Sequence, residues 1–173
     1  MRPIRAACLG TATALVTLLA SAPVAAAATD IDSAHAKGRD RVITVIGRLS
    51  QQTRFPVNPG GVAAQGDRTV FRSILFDKDN KKEVGETNGT CTTTLVEYDG
   101  GAEVCAVTYN LPGGQLTVQG MVFGIFTKGL PTIPPPSFDN AITGGTGKFD
   151  RARGQVHADT IGTGLRRFTI DLD

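Results

Sequence analysis

The sequence predicts one all-β domain of eight strands, a sandwich or a closed barrel, behind an export signal. Three observations carry that reading. Beyond residue 28 the apolar residues recur with period two, and no helical period is visible. Clusters of glycine, proline, asparagine and aspartate break the chain at short, even intervals. Between them the segments are rich in β-branched and aromatic residues, which fit a pleated, half-buried surface.

The N-terminus runs Met1-Arg2-Pro3-Ile4-Arg5, then an apolar stretch from Ala6 to Ala20, then the small-residue run Ala25 to Ala28. A positive start, a short apolar middle and a small-residue end are the parts of a cleavable secretion signal. The apolar stretch is too short and too alanine-rich for a spanning helix, and no later segment is long and apolar enough for one. Residues 1–28 are therefore read as signal peptide, 29–40 as a flexible polar entry, and 41–173 as the folded domain of a secreted protein.

Strand one is Arg41 to Leu49, and Arg54 to Gly66, with Pro56, Pro59, Gly60 and Gly61, is a loop. Arg68 to Asp77 follows, then a turn at Lys78–Lys81, then Glu83 to Tyr98. Asp99-Gly100-Gly101 is a hairpin turn, because glycine reaches positive φ at little steric cost. Glu103 to Leu111, the turn Pro112-Gly113-Gly114 and Gln115 to Phe126 come next. Lys128 to Ser137 holds four prolines and is an extended connection; its P-x-x-P match at Pro131 and Pro134 is read as part of that loop. Phe138 to Thr143, Ala152 to Ile161 and Arg166 to Leu172 complete the eight. Eight strands enclose either packed side chains or one small ligand.

Loss of residues 1–28 takes Arg2 and Arg5 from the 18 basic residues and none of the 16 acids, so the mature charge is zero. Such a chain has no field to gather nucleic acid or an anionic membrane, and with no tryptophan it has few stacking platforms. Cys8 leaves with the signal. The remaining pair, Cys91 and Cys105, is either a disulfide or two free thiols, and an oxidising compartment favours the disulfide. Closing that loop contributes about 3 kcal/mol. His35 and His157 are the only histidines, and neither completes a Ser-His-Asp spacing or a metal-ligand cluster, so no metal and no hydrolytic centre is expected.

Gly144-Gly145-Thr146-Gly147-Lys148-Phe149 looks at first like a phosphate loop. It lacks the Ser or Thr after the lysine, and the next segment is a strand, so it is read as a sharp corner. With Ala152-Arg153-Gly154 it resembles the G-G-T-G-x-F…A-R-G signature of the allene oxide cyclase and dirigent proteins. Gly66-Asp67-Arg68-Thr69-Val70-Phe71, Val84-Gly85 to Gly89-Thr90-Cys91, and Leu111-Pro112-Gly113-Gly114-Gln115 with Val118-Gln119-Gly120 resemble further stretches of that family in the same order. The resemblance covers about residues 41–172. It implies an eight-stranded antiparallel, calycin-like barrel with a mostly apolar cavity open at one end. It also implies cofactor-free cyclisation of an epoxy fatty acid, or guided coupling of phenolics.

Some positions depart from the family. The catalytic glutamate of the plant cyclase falls on Gly47, and its second-strand asparagine falls near Ser73. Its cysteine matches Cys91, but Cys105 is available to oxidise it. The carboxylates and arginine of dirigent pockets have candidate counterparts in Glu97, Glu103, Asp139 and Arg72. Both faces of Val70–Phe76 are largely apolar, so Arg72 is either a rim residue or a pocket cation.

The reading is thus a secreted barrel that binds a small apolar molecule without a cofactor. Arg72, Ser73 and Asn140 are the candidate catalytic groups. Phe71, Gln119, Met121 and Phe123 are the candidate ligand contacts, and the loops Arg54–Gly66 and Lys128–Ser137 gate the mouth. It acts either as a cyclase or coupling guide, or as a non-catalytic binder or structural barrel, with a homo-oligomer left open.

Overall fold

Among the described residues nine strands form, and eight of them close a ring. The computed structural model describes residues 41–127, 130–133 and 135–173, with side chains outside 125–134. The signal peptide, the entry segment, Cys8, His35 and Lys128 lie outside the described residues.

The strands are β1 (Arg41–Phe55), β2 (Arg68–Phe76), β3 (Glu83–Val96), β4 (Gly101–Leu111), β5 (Gly114–Thr127), β6 (Leu130–Ile133), β7 (Ser137–Gly145), β8 (Gly154–Gly162) and β9 (Leu165–Leu172). All pairings are antiparallel. They run in sequence from β1 to β5, pass from β5 to β7, β8 and β9, and return from β9 to β1. Closure leaves no free edge in the ring. β6 pairs with β5 alone.

Most strand ends move by one or two residues from the sequence reading, and two differences are larger. β1 runs on to Phe55, through residues that read as the start of a loop. Gln51-Gln52-Thr53-Arg54 shows no alternation because this end of β1 outruns the core and is wet on both faces, yet it still pairs with β2 as far as Phe55↔Arg68. The proline-rich connection holds the short β6, where Pro131 pairs with Phe126 on an edge strand, a place where a missing N–H costs little.

Burial alternates along each strand. In β4, Cys105, Val107, Tyr109 and Leu111 point inward. Leu75, Leu116 and Ile170 are wholly buried, each contributing about 1.5–3 kcal/mol. Tyr109 meets Phe168 edge-to-face across the barrel, centroids 5.3 Å apart.

One end is plugged. Gly147–Phe149 forms a 3-10 turn that drives Phe149 (3% exposed) into the base of the barrel, with the Arg41 guanidinium 5.7 Å from its ring. The Lys148 N–H donates to the Gly113 carbonyl at 2.8 Å, and the Thr146 N–H to the Gln115 carbonyl at 2.8 Å. Gly147 sits at φ +62, and a Cβ there would collide with the Gly113 carbonyl. The glycine-rich corner is therefore a lid on the closed end, its amides spent on carbonyls. The other end, the mouth, is framed by residues 56–67, the turn between β3 and β4, the turn between β8 and β9, and the chain leading into β7. Among the described residues no helix is long and apolar enough to cross a membrane.

Candidate functional site

The polar groups that point into this barrel concentrate toward the mouth. At the rim, Asp67 is 2% exposed. Its carboxylate accepts from the Val57 N–H (2.7 Å) and the Ala64 N–H (3.0 Å) and pairs with the Arg54 guanidinium. Its carbonyl accepts from the Thr93 N–H at 2.8 Å. Burial alone would raise the Asp67 pKa; the two amides and Arg54 outweigh it and hold the carboxyl below its ordinary value. Asp67 is thus the clamp that ties the 56–66 loop to β3, which gives the Gly-Asp motif a structural meaning.

The candidate residues divide by face. Phe71, Ser73 and Asn140 point inward; Ser73 and Asn140 are 8% and 4% exposed. Arg72 points outward, where its Nε donates to Glu86 Oε2 at 2.7 Å. It borders a shallow depression of about 440 Å³ on the outer wall, with Thr53, Val70, Asn88 and Thr108. Gln119, Met121 and Phe123 also lie on the outer face of β5, Met121 at 50% and Phe123 at 62% exposure. Their inward neighbours are Val118, Gly120 and Val122. For Arg72 and these three, the structure reverses the face on which a ligand inside the barrel would meet them. Both faces of β2 and β5 are apolar enough that alternation alone does not choose between them. Of the other carboxylates raised by the family resemblance, Glu97 and Asp139 are on the outside and only Glu103 is turned in.

Cys91 and Cys105 stand directly opposite one another on β3 and β4 and form a disulfide on the inner wall. Glu103 lies beside it, within 4.8 Å of both sulfurs. This is a three-ligand grouping by distance only, because the sulfurs are spent on each other. Burial pushes the Glu103 pKa up, opposed by the Thr93 hydroxyl and Arg54.

Three inward residues were not singled out from the sequence. Arg166 stacks its guanidinium on Phe138, 4.8 Å from the ring centroid, and its burial lowers its pKa against the opposing effect of Tyr109. Tyr109, 2% exposed, has its phenol pKa raised by burial and partly restored by Arg166. Thr87 is fully buried opposite Ser73. Arg166 Nη1, Asn140 Oδ1 and Thr87 Oγ1 are buried without a hydrogen-bond partner among the described residues. Each such atom costs about 1–3 kcal/mol unless something else satisfies it. The Asn140 amide is packed over Gly120, where any Cβ would strike Oδ1. Arg166 did carry a signal: Arg167, Thr169 and Asp171 are polar and alternate with Phe168, Ile170 and Leu172, which puts Arg166 on the apolar face.

An apolar wall with a cation, an amide acceptor and hydroxyls turned inward is suited to hold a small molecule by one or two oxygens. Solved structures supply the comparison. A pyocyanin demethylase superposes with a TM-score of 0.63 at 24% identity, over 77% of this chain and 100% of that one. The chain shares the barrel fold of dirigent proteins and Diels–Alderases. The pterocarpan synthase dirigent protein GePTS1 matches at TM-score 0.56 and 17% identity, over 77% of this chain and 88% of its own. The Diels–Alderase AbmU from Streptomyces koyangensis matches at 0.56 and 17%, over 79% of this chain and 70% of its own. No allene oxide cyclase is among these three. In sequence alone, no family pattern and no curated protein matches the chain.

Proposed function

We propose that this is an exported barrel that binds a small, mostly apolar molecule bearing an oxygen acceptor, and that it guides a cyclisation or coupling of that molecule without a cofactor. The observation that carries the reading is a pair of buried atoms on an apolar wall that have no hydrogen-bond partner among the described residues: Arg166 Nη1, a donor, and Asn140 Oδ1, an acceptor. The dirigent and Diels–Alderase neighbours support it as fold relatives.

In this reading Arg166 takes the role the sequence suggested for Arg72, while Asn140 and Ser73 keep theirs. A guanidinium held away from water stabilises negative charge that develops on a carbonyl or phenol oxygen. The walls, with Phe71, Phe138 and Phe168, hold the molecule folded, so the reaction gains from proximity and orientation. Glu103, whose pKa burial raises, is a carboxyl turned inward beside the disulfide, where it can hold or release a proton.

Two probes test the site. 1-Anilinonaphthalene-8-sulfonate and N-phenyl-1-naphthylamine share an apolar body and differ in an anionic group. Arg166→Met should weaken the first by about 10- to 100-fold, the worth of one charge-assisted hydrogen bond, and leave the second unchanged. Equal loss of both, or of neither, removes Arg166 from the site. For the reaction, spent culture medium is extracted, incubated with the protein and followed by mass and retention time. Cyclisation moves a compound in retention at constant mass. A compound that is bound and released unchanged makes the protein a carrier.

A further inference from the structure

Charge on the inner wall is unevenly balanced. Asp67 pairs with Arg54, and Glu103 accepts from the Thr93 hydroxyl at 3.4 Å. Among the described residues no ion pair includes Arg166. The Phe138 ring takes one face of its guanidinium and leaves Nη1 buried and unbonded. A buried arginine is almost always paired, because an isolated charge away from water is costly. Among the described residues the counter-charge of Arg166 is missing.

Hydroxyls gather beside it. Ser73 stands opposite Thr87, and Thr87 opposite Tyr109, so three buried hydroxyl side chains form one inward row across β2, β3 and β4. Directly opposed side chains stand about 4.5–5.5 Å apart at Cβ, close enough for neighbouring oxygens to turn toward one guest. Tyr109 carries the row to Phe168, the next inward residue of β9 after Arg166. Thr87 Oγ1, like Arg166 Nη1, has no hydrogen-bond partner among the described residues.

We infer that the guest is an anion: a compact carboxylic acid or acidic enol with an apolar body, bound head-first so that its charged oxygen lies between Arg166 and the row Ser73, Thr87 and Tyr109. A carboxylate or enolate oxygen offers lone pairs only, and the guanidinium and the hydroxyls are donors. Its charge also supplies the partner that Arg166 lacks. Asn140 Oδ1, an acceptor, is no partner for such an oxygen and is left for an O–H or N–H elsewhere on the guest. This class rests on the ligand reading proposed above and narrows it, from any oxygen acceptor to one that is charged before it binds. Without a guest the wall holds an unpaired cation, so affinity for the anion is set against stability.

2-Naphthoate, methyl 2-naphthoate and 2-naphthamide share one body and differ in charge. Titrated by calorimetry against the full chain near neutral pH, the acid should bind at least about ten-fold more tightly than either neutral compound. Arg166→Met should abolish that preference. In the free protein it should melt at or above the wild-type temperature, because it removes an unpaired buried charge. Thr87→Val and Tyr109→Phe keep the shape and lose a hydroxyl; each should weaken the acid about three- to ten-fold and spare the ester. An ester or amide that binds as tightly as the acid overturns the anion and leaves the ligand reading standing. Failure of all three to bind overturns both. An acid preference that survives in Arg166→Met overturns the assignment of the charge. Should Arg166→Met not fold, Thr87→Val and Tyr109→Phe decide the matter: acid and ester weakened alike, or not at all, overturn the inference.

Discussion

Replacing Asp67 by alanine tests whether the mouth depends on one buried carboxylate. The change removes the acceptor for two backbone N–H groups and the partner of Arg54, whose side chain is 21% exposed against 2% for Asp67. Breaking a buried pair from one side costs about 3–5 kcal/mol. Because Arg54 retains some water and the loop can open to hydrate its amides, the lower figure is the expectation, about 3 kcal/mol. For a domain of this size that is roughly a 10 °C fall in melting temperature. Thermal unfolding by circular dichroism measures it, and limited proteolysis should show earlier cutting between residues 56 and 66. Acid supplies a second reading. The folded-state pKa of Asp67 lies below its unfolded value, so its contribution is present above about pH 4 and is lost as pH falls through the folded pKa. The wild type should therefore lose stability in that acid range more steeply than Asp67→Asn. A melting shift under about 3 °C in Asp67→Ala, with unchanged proteolysis, would refute the clamp.

The remaining predictions concern the wall and the outer strands. Reducing Cys91–Cys105, which are 14 residues apart, should lower stability by about 3 kcal/mol, read as a melting shift on adding a phosphine reductant and matched by the double Cys→Ser variant. On the outer face His157 Nδ1 lies 2.7 Å from Asp139 Oδ1 and Nε2 lies 3.1 Å from Asp159 Oδ1, each nitrogen donating to its carboxylate when the ring is protonated, and the Asp139 carboxylate leads in raising the His157 pKa. Its small contribution is present below about pH 6.5 and lost as pH rises through the folded value; imidazole titration by NMR should place that pKa above the ordinary one, and His157→Gln should flatten the trend. Gly120→Ala must displace the Asn140 amide, so it should cost about 1–3 kcal/mol and weaken the anionic probe as Asn140→Ala does.

The strand order was legible because turns and alternation survive in sequence, and the end of β1 was missed because a wet overhang has no alternation. The facing of β2 and β5 was not legible. Val70, Ile74 and Phe76 line the outer face as apolar residues, partly because Arg48 covers Phe76 from 3.9 Å and is itself held by Asn80. An apolar residue beneath an arginine looks, in sequence, like core. Where the outer face is plainly polar, as in β9 and β7, alternation would have placed Arg166 and Asn140 together on the inner wall.

The stretches that carry the family resemblance explain why it reaches the fold and stops short of the reaction. Gly144–Phe149 and Leu111–Gln115 meet at the plugged end, where Thr146 and Lys148 bond to Gln115 and Gly113. Gly66-Asp67 clamps a rim loop, and the turn of β3 at Gly85 lies against the Asn110 carbonyl. Gly120 makes room for Asn140, and Gly89 makes room for Phe71. These motifs are conditions for closing a barrel. The groups that would act on a bound molecule, Arg166, Asn140, Ser73 and Glu103, stand outside those motifs, on strands whose backbone geometry is indifferent to which side chain they carry. A barrel can therefore keep every closing motif while its inner wall changes substrate, and the chemistry of this one has to be sought in what Arg166 binds.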